Sequence, residues 1–406
     1  MKGSSALKKR WLLCSLALSS LLYAEESLIS TLKEEQFRYD YQKAQLQSDI
    51  LRDSWLAPLQ LYYSYGKSDQ YGGDSTTQNA AVAIDQPIFQ SGGIYYGIKF
   101  AEASRRYSNL SIDAARRKLI TDAVSLLMQI RQSDLRIAKQ ELQVANAGLN
   151  LELKTEQYLH GELDSGFLDN AIIEKNSLTQ ALYDLQTAKE RLISAYESIS
   201  DVPYASAPLP KLALMEPERF ESEAIDLRLA RSEIEKGRWN QNVTRSKYLP
   251  ALSINAGYNW NKIENPAFAG SIMPIKAESD YWTYGLKASM VFNVNEFRDM
   301  EVSRIETLKA NTALADKKRA LNALYDQVKH NLANSDRKIA LAEQNKGLYE
   351  KLLGDTRELF KAGYKTEYDV SLLENSAKIQ GIETQILEYD RQLELLNLYE
   401  KGYGAI

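Results

Sequence analysis

Cysteine is almost absent from this chain: Cys14 is the only one in 406 residues. Thiol catalysis, disulfide staples and thiolate metal sites therefore have nothing to work with. Histidine is nearly as scarce, and His160 and His330 stand too far apart in sequence to read as a local metal motif. No Gly-rich phosphate loop or nucleophile motif occurs, so the expectation is a protein that is not an enzyme and carries no metal or cofactor. Charge of one sign is lacking too. Lys and Arg number 50 against 54 Asp and Glu, a net charge of −4, which is no footprint for nucleic acid. At 44% hydrophobic and 26% charged the chain is neither globally disordered nor a multi-span helical membrane protein. Long apolar runs are missing, since the one at Trp11–Leu22 has 12 residues, too few to cross a bilayer as a helix. Proline is thin, and Ile94 to Tyr158 contains none, with only Gly97 and Gly148 as glycines.

What is present begins with an export signal. Lys8-Lys9-Arg10 is a basic region, Trp11–Leu22 an apolar one, and Ala24 a small residue before Glu25-Glu26. Cleavage is expected after Ala24, although Leu22 is a poor −3 residue. Cys14 leaves with that segment; lipid attachment to it lacks the small residues expected just before such a cysteine. Residues 1–24 carry four basic side chains and no acid, so the chain without them stands at −8.

The chain is organised around Asp85-Gln86-Pro87-Ile88-Phe89-Gln90-Ser91-Gly92-Gly93, a Pro/Gly hinge between a strand and a very long helix. Upstream, Glu25 to about Ser54 is helix-like, and strands are expected at 58–66 and 78–89. Leu59, Leu61, Tyr63 and Tyr65 alternate with Gln60, Tyr62 and Ser64, and Val82 and Ile84 oppose Ala81, Ala83 and Asp85. One wet face and one apolar face suit the wall of a transmembrane barrel. Downstream, 94–158 reads as one helix, about 100 Å long at ~1.5 Å per residue. Ala123, Ile130, Ile137, Val144, Leu151 and Tyr158 recur at sevens, and so do Met128, Leu135, Leu142 and Leu149. The two series lie ~200° apart around the helix, which asks for a neighbour on each side; an ordinary bundle helix would show one broad stripe. A tip at 159–167 and a return helix from Phe167 to Ile199 follow, then a linker at 201–220 rich in proline.

The pattern then repeats. Glu221–Lys247 is helix-like, strands fall at 249–260 and 281–292, a second long helix at 295–361 and a second tip at 362–368. Leu56 to Leu249 is 193 residues, Phe89 to Phe292 is 203 and Gly161 to Gly363 is 202. The chain thus divides into 25–200 and 221–401, two copies of helix–strand–strand–long helix–return helix, with a tail at 402–406. Four strands with one apolar face cannot close a barrel, and open edges are not tolerated inside a membrane. Several identical chains around one axis would cure that deficit and supply the missing helix neighbours. Trp55, Tyr62, Tyr63, Trp260, Tyr281 and Trp282 read as an aromatic girdle, or as ordinary strand packing.

With these motifs in order, the sequence resembles the TolC family of outer-membrane efflux proteins over nearly all of the mature chain. The residues that carry the likeness are Gln86-Pro87-Ile88-Phe89 with Gly92-Gly93, Tyr248-Leu249-Pro250, and the tips. In the second tip, Phe360-Lys361-Ala362-Gly363 is followed six residues after the glycine by Asp369-Val370. The first, Tyr158-Leu159-His160-Gly161, is followed by Asp169 only eight residues on, which reads as a two-residue insertion. The resemblance implies a mainly α fold with a membrane β-barrel contribution: a homotrimeric α/β-barrel channel-tunnel in the outer membrane with a large periplasmic portion. Its implied partners are outer-membrane lipid, a periplasmic adaptor and an inner-membrane pump. It further implies an entrance constriction near Asp369, with Glu367 and Glu374 close by, although Leu372 stands where the family can place a second acid. Asp369 is equally readable as a helix N-terminal acid favoured by the helix dipole. Gly161, Asp169, Gly363, Tyr364 and Lys365 fall where the family docks adaptors, and Pro87, Gly92, Gly93 and Pro250 form the strand–helix hinge. The function implied is a passive exit duct for drugs or small molecules. Two alternatives stand beside it: the exit duct of a type I protein secretion system, and a non-conducting periplasmic coiled-coil scaffold.

Overall fold

The computed structural model describes residues 28–69, 74–265 and 275–402. Residues 1–27 with the expected signal segment, Gly72-Gly73 where a turn is expected, residues 266–274 and residues 403–406 lie outside them. The described elements run α1 (Thr31–Asp53), β1 (Gln60–Ser68), β2 (Ser75–Phe89), α2 (Gly93–Leu159), α3 (Ser165–Glu197), α4 (Pro217–Glu223), α5 (Ile225–Ser246), β3 (Ala251–Asn265), β4 (Ile275–Ser289), α6 (Glu296–Lys361) and α7 (Glu367–Lys401). The duplicated helix–strand–strand–long helix–return helix order is present, with long helices of 67 and 66 residues.

The chain forms two compact units. One is built from the described residues within Met1–Arg38, Ile112–Leu227 and Lys317–Ile406, the second from Tyr39–Ser111 and Arg228–Asp316. Each unit draws on both sequence copies, so the repeat is a unit of sequence rather than of folding.

The second unit holds the sheet, an antiparallel meander in the order β1-β2-β3-β4. The two hairpins join through β2 and β3, with Val82 opposite Tyr258 and Ile84 opposite Ala256. Because side chains alternate, register sorts them cleanly. Leu61, Tyr63, Val82, Ile254, Tyr258, Trp260, Trp282, Tyr284 and Leu286 share one face. Gln60, Ser64, Asn79, Asn255, Asn259, Asn261 and Thr283 share the other. Tyr258 and Trp282 pack as a cross-strand pair with ring centroids 4.9 Å apart. Of the expected girdle, Tyr62 and Tyr281 belong instead to the polar face, in the row Tyr62–Ala81–Asn259–Tyr281. Proximity to a strand end does not decide the face; parity does.

The strand ends differ from expectation for local reasons. β4 runs Ile275–Ser289 rather than 281–292, ending where its partner β3 begins, at Ala251 opposite Ser289. Pro250, just before, has no N–H to extend the ladder, and its carbonyl accepts from Ser91 Oγ at 2.6 Å. At the far end Lys276 pairs with Glu264 and Glu278 with Lys262, so polar residues that read as loop lengthen β3 and β4.

In the first unit Ile120, Val124, Leu127, Met128 and Ile130 of α2 are almost fully buried, as are Tyr196, Phe220, Val328, Leu395 and Leu398. Met128 and Ile130 come one from each seven-residue series, so α2 is covered on both sides there. Toward the tip, α2 and α7 are joined by a polar ladder at heptad spacing. Gln132 Nε2 donates to Asp390 Oδ1 (2.7 Å) and to the Ile386 carbonyl (3.1 Å). Seven residues on, Lys139 Nζ meets Glu383 at 2.5 Å; seven further, Asn146 bonds Ser376 (3.4 Å) and Asn375 (2.9 Å).

Three boundaries move. Ser30 caps α1, its carbonyl taking Glu34 N at 3.0 Å and its hydroxyl Lys33 N at 3.3 Å, so the helix starts later than Glu25. The linker ends at Glu216, because Pro217 is well suited to a first helical turn and opens α4. The helix expected at Glu221–Lys247 breaks at Ala224, which is extended and forms a β-bridge with Gly402. Before Glu216 the linker is held by side chains: Arg131 donates to the Ala205 carbonyl (2.7 Å), Gln392 accepts from Leu212 N (2.8 Å) and Tyr325 donates to the Met215 carbonyl (2.8 Å).

Candidate functional site

The two helix tips are built alike. Gly161 and Gly363 follow α2 and α6 with φ of +74° and +81°, the left-handed conformation that glycine adopts at least cost. Around each, the same pair of bonds closes the helix: Gly161 N to Tyr158 O (3.0 Å) with Glu162 N to Gln157 O (2.8 Å), and Gly363 N to Phe360 O (3.0 Å) with Tyr364 N to Leu359 O (2.9 Å). These are Schellman closures. The next helix is capped three residues after the glycine in both cases, by Asp164 and by Thr366. The loops are therefore equal in length, and the two-residue insertion read from Asp169 is corrected. What differs is the position of the acid. In the second tip Asp369 is the third helical residue of a capping box: its Oδ2 accepts from Thr366 N and Oγ1, both at 3.0 Å, and its own N–H donates to Thr366 Oγ1 at 3.3 Å. In the first tip the acid is the cap itself, Asp164 accepting from Gly166 N at 3.0 Å. Asp169, five residues into α3, is exposed and beyond capping range.

Electrostatics at the second tip are locally compensated. The Thr366 amide first, then the Thr366 hydroxyl and Lys365 (3.4 Å away), hold the Asp369 carboxyl below the usual range. Glu374 is likewise lowered, by Lys378 at 3.1 Å and then Arg357 at 3.4 Å, the latter tying α7 to α6. Glu367 is exposed at the first position of α7. At 100° per residue, Glu367 and Glu374 share a face while Asp369 lies ~200° from Glu367, so the three acids do not converge within one chain. Tyr368, which sequence reasoning passed over, donates to Glu156 Oε1 at 3.2 Å and joins the start of α7 to the end of α2. Partial burial first, then Glu152 and Glu156, push its phenol up. Its place beside Asp369 was the only signal available. His160 Nδ1 hydrogen-bonds the Glu156 carbonyl at 2.7 Å. Tyr364 (80% exposed) and Leu159 (75% exposed) stand out as apolar side chains facing solvent.

The hinge lies in the second unit. Pro87 sits where the β2–β3 register slips before Phe89. Ser91 (φ 48°) and Gly92 (φ 87°) make the left-handed turn into α2. A Cβ on Gly93 would stand 2.8 Å from Ser246 Oγ. Gln86 anchors the approach to β1, accepting from Ala57 N at 3.0 Å and donating to the Trp55 carbonyl at 3.1 Å. Among the described residues no group of three His, Cys, Asp or Glu side chains could hold a metal ion, and no helix is long and apolar enough to cross a membrane.

No family model matches the chain, and no curated protein matches it in sequence. Solved structures do. The chain is similar to the outer membrane protein VceC of Vibrio cholerae, at 16% identity over 95% of this chain and 97% of that one, with a TM-score of 0.68. It is similar to the CmeC outer membrane channel of Campylobacter jejuni, at 12% identity over 96% and 86%, with a TM-score of 0.72. It is similar also to the MtrE outer membrane channel of Neisseria gonorrhoeae in its open state, at 13% identity over 95% and 89%, with a TM-score of 0.65. At these identities the likeness is one of fold. The fold is TolC-like, the one that the sequence motifs indicated.

Proposed function

We propose that this chain is the outer-membrane component of a tripartite efflux system. Three copies pool their four strands into one twelve-stranded barrel surrounded by outer-membrane lipid, and their helices form a duct through the periplasm. The duct is passive. An inner-membrane pump supplies the energy, a periplasmic adaptor joins pump to duct, and drugs or other small molecules are the cargo. One observation carries the reading: a four-stranded sheet with an apolar face, a polar face and two strands, β1 and β4, each paired on one side only. A sheet of that kind reaches stability in a membrane by closing with copies of itself. The fold shared with structures described as outer-membrane channels supports it.

Within this reading Asp369, Glu367 and Glu374 border the periplasmic entrance, and Gly161, Asp169, Gly363, Tyr364 and Lys365 belong to the adaptor-docking tips. The exposed Tyr364 and Leu159 are the apolar contacts such docking uses. Deleting the gene in its own host tests the cargo: cells should accumulate more of a fluorescent drug-like dye while their secreted proteins stay unchanged. Loss of a secreted protein with unchanged dye accumulation would transfer the duct to protein secretion.

A further inference from the structure

The polar face of the sheet carries very little charge. Reading the register from Gln60 to Ser289, that face presents Asn79, Asn255, Asn259 and Asn261, with hydroxyls, glycines and alanines between them. Among the described side chains its charged groups are Asp85 on β2 and Lys287 on β4. They flank β3, where Asp85 stands opposite Asn255 and Lys287 opposite Ser253. Lys287 Nζ lies 3.4 Å from Asp85 Oδ2, and both side chains are more than half exposed (60% and 52%). The remaining strand charges, among them Lys67, Lys262, Glu264, Lys276, Glu278 and Asp280, have the opposite parity and cluster toward the hairpin loops.

We propose that Asp85 and Lys287 are the charge-selectivity pair of the barrel lumen, a balanced ion pair that leaves the outer passage open to neutral, cationic and anionic solutes alike. This rests on the duct reading, which makes the polar face the lumen wall. An exposed pair of this kind contributes little to stability, so its effect is on the field in the lumen. Each copy adds one acid and one base at the same level. Removing either leaves one uncompensated charge per copy, whose field reaches a Debye length, ~10 Å at 0.1 M salt, from the wall. Amides and hydroxyls elsewhere on the face bind ions of neither sign strongly and would not mask the change.

The test is the reversal potential of the purified full-length protein in a planar bilayer under a salt gradient, at or below ~0.1 M salt. Lys287→Gln should move it toward cation selectivity and Asp85→Asn toward anion selectivity, with the double variant returning to the wild-type value. Unchanged reversal potentials, or both single variants moving the same way, overturn the proposal while the conductance itself keeps the duct. A wild-type protein that does not conduct removes both. A second measurement is independent of selectivity. Cys14 lies in the export signal, so single cysteines can be placed on an otherwise thiol-free mature chain. Lys287→Cys should react in the assembled protein with a charged, membrane-impermeant thiol reagent, and Tyr284→Cys, on the apolar face, should not. The reverse pattern overturns the assignment of the lumen face.

Discussion

Asp369 illustrates how one side chain serves two readings. Its carboxylate closes a capping box at the start of α7, a local role that needs only an acceptor. A place at a duct entrance would need its charge. The two separate experimentally. Asp369→Asn keeps an acceptor for the Thr366 amide, and Asp369→Ala removes it. The alanine variant should lose about 1 kcal/mol, as on removal of a cap, and the asparagine variant, which keeps the acceptor and loses only the charge, should lose less; both are read as a lower unfolding midpoint. If the charge borders the conducting path, both variants should alter single-channel conductance. The pH dependence has a fixed sign. Because the folded carboxyl is held below its unfolded value, near 3.9 for aspartate, its contribution is present above that value and is lost as pH falls through the folded one. Titrating the unfolding midpoint of wild type against Asp369→Asn downward from pH 5 should therefore show the two converging. At residue scale the turn glycines were legible, because few other residues take positive φ cheaply. The cap of the first tip was not, because Asp164 and Asp169 are both plausible acids and only the backbone says which one caps.

At the scale of the element, the strands announced themselves by alternation, and their ends did not. β4 begins inside a stretch whose polarity reads as loop, because Glu278 and Lys276 meet Lys262 and Glu264 across the ladder rather than an apolar neighbour. The break at Ala224 is likewise invisible locally, since its bridge partner, Gly402, lies at the far end of the chain. Beside the apolar heptads of α2 runs a polar series at the same period, Gln132, Lys139 and Asn146, matched by Asp390, Glu383 and Ser376, which marks the α2–α7 seam. Gln132 is 4% exposed and makes two bonds in that seam. Gln132→Leu should lower stability by about 1 kcal/mol, because two hydrogen bonds are lost while Asp390, half-exposed, turns to water; chemical denaturation of the detergent-solubilised protein measures it. Gly363→Ala should cost about 1 kcal/mol through the left-handed position alone, and Gly354→Ala, in mid-helix with open space at its Cβ, should stabilise slightly. If Gly363→Ala is as harmless as Gly354→Ala, the Schellman closure does not hold the tip.

For the whole molecule, the duplication was legible from landmark spacing. A four-stranded sheet with two half-paired edges and an apolar face that includes Tyr284 (86% exposed) and Trp282 (74% exposed) is not a finished surface for a lone chain in water. The sequence also indicated that no enzyme constellation competes with a structural reading of these helices. The division into two compact units was hidden, because each unit is assembled from segments of both repeats. Whether copies of this chain close into a conducting barrel is read from single-channel conductance of the detergent-purified protein in a planar bilayer, with its native mass determined on the same sample. A trimer that conducts ions of both signs through discrete channels is the expected result. A monomer or dimer that leaves the bilayer silent would contradict it.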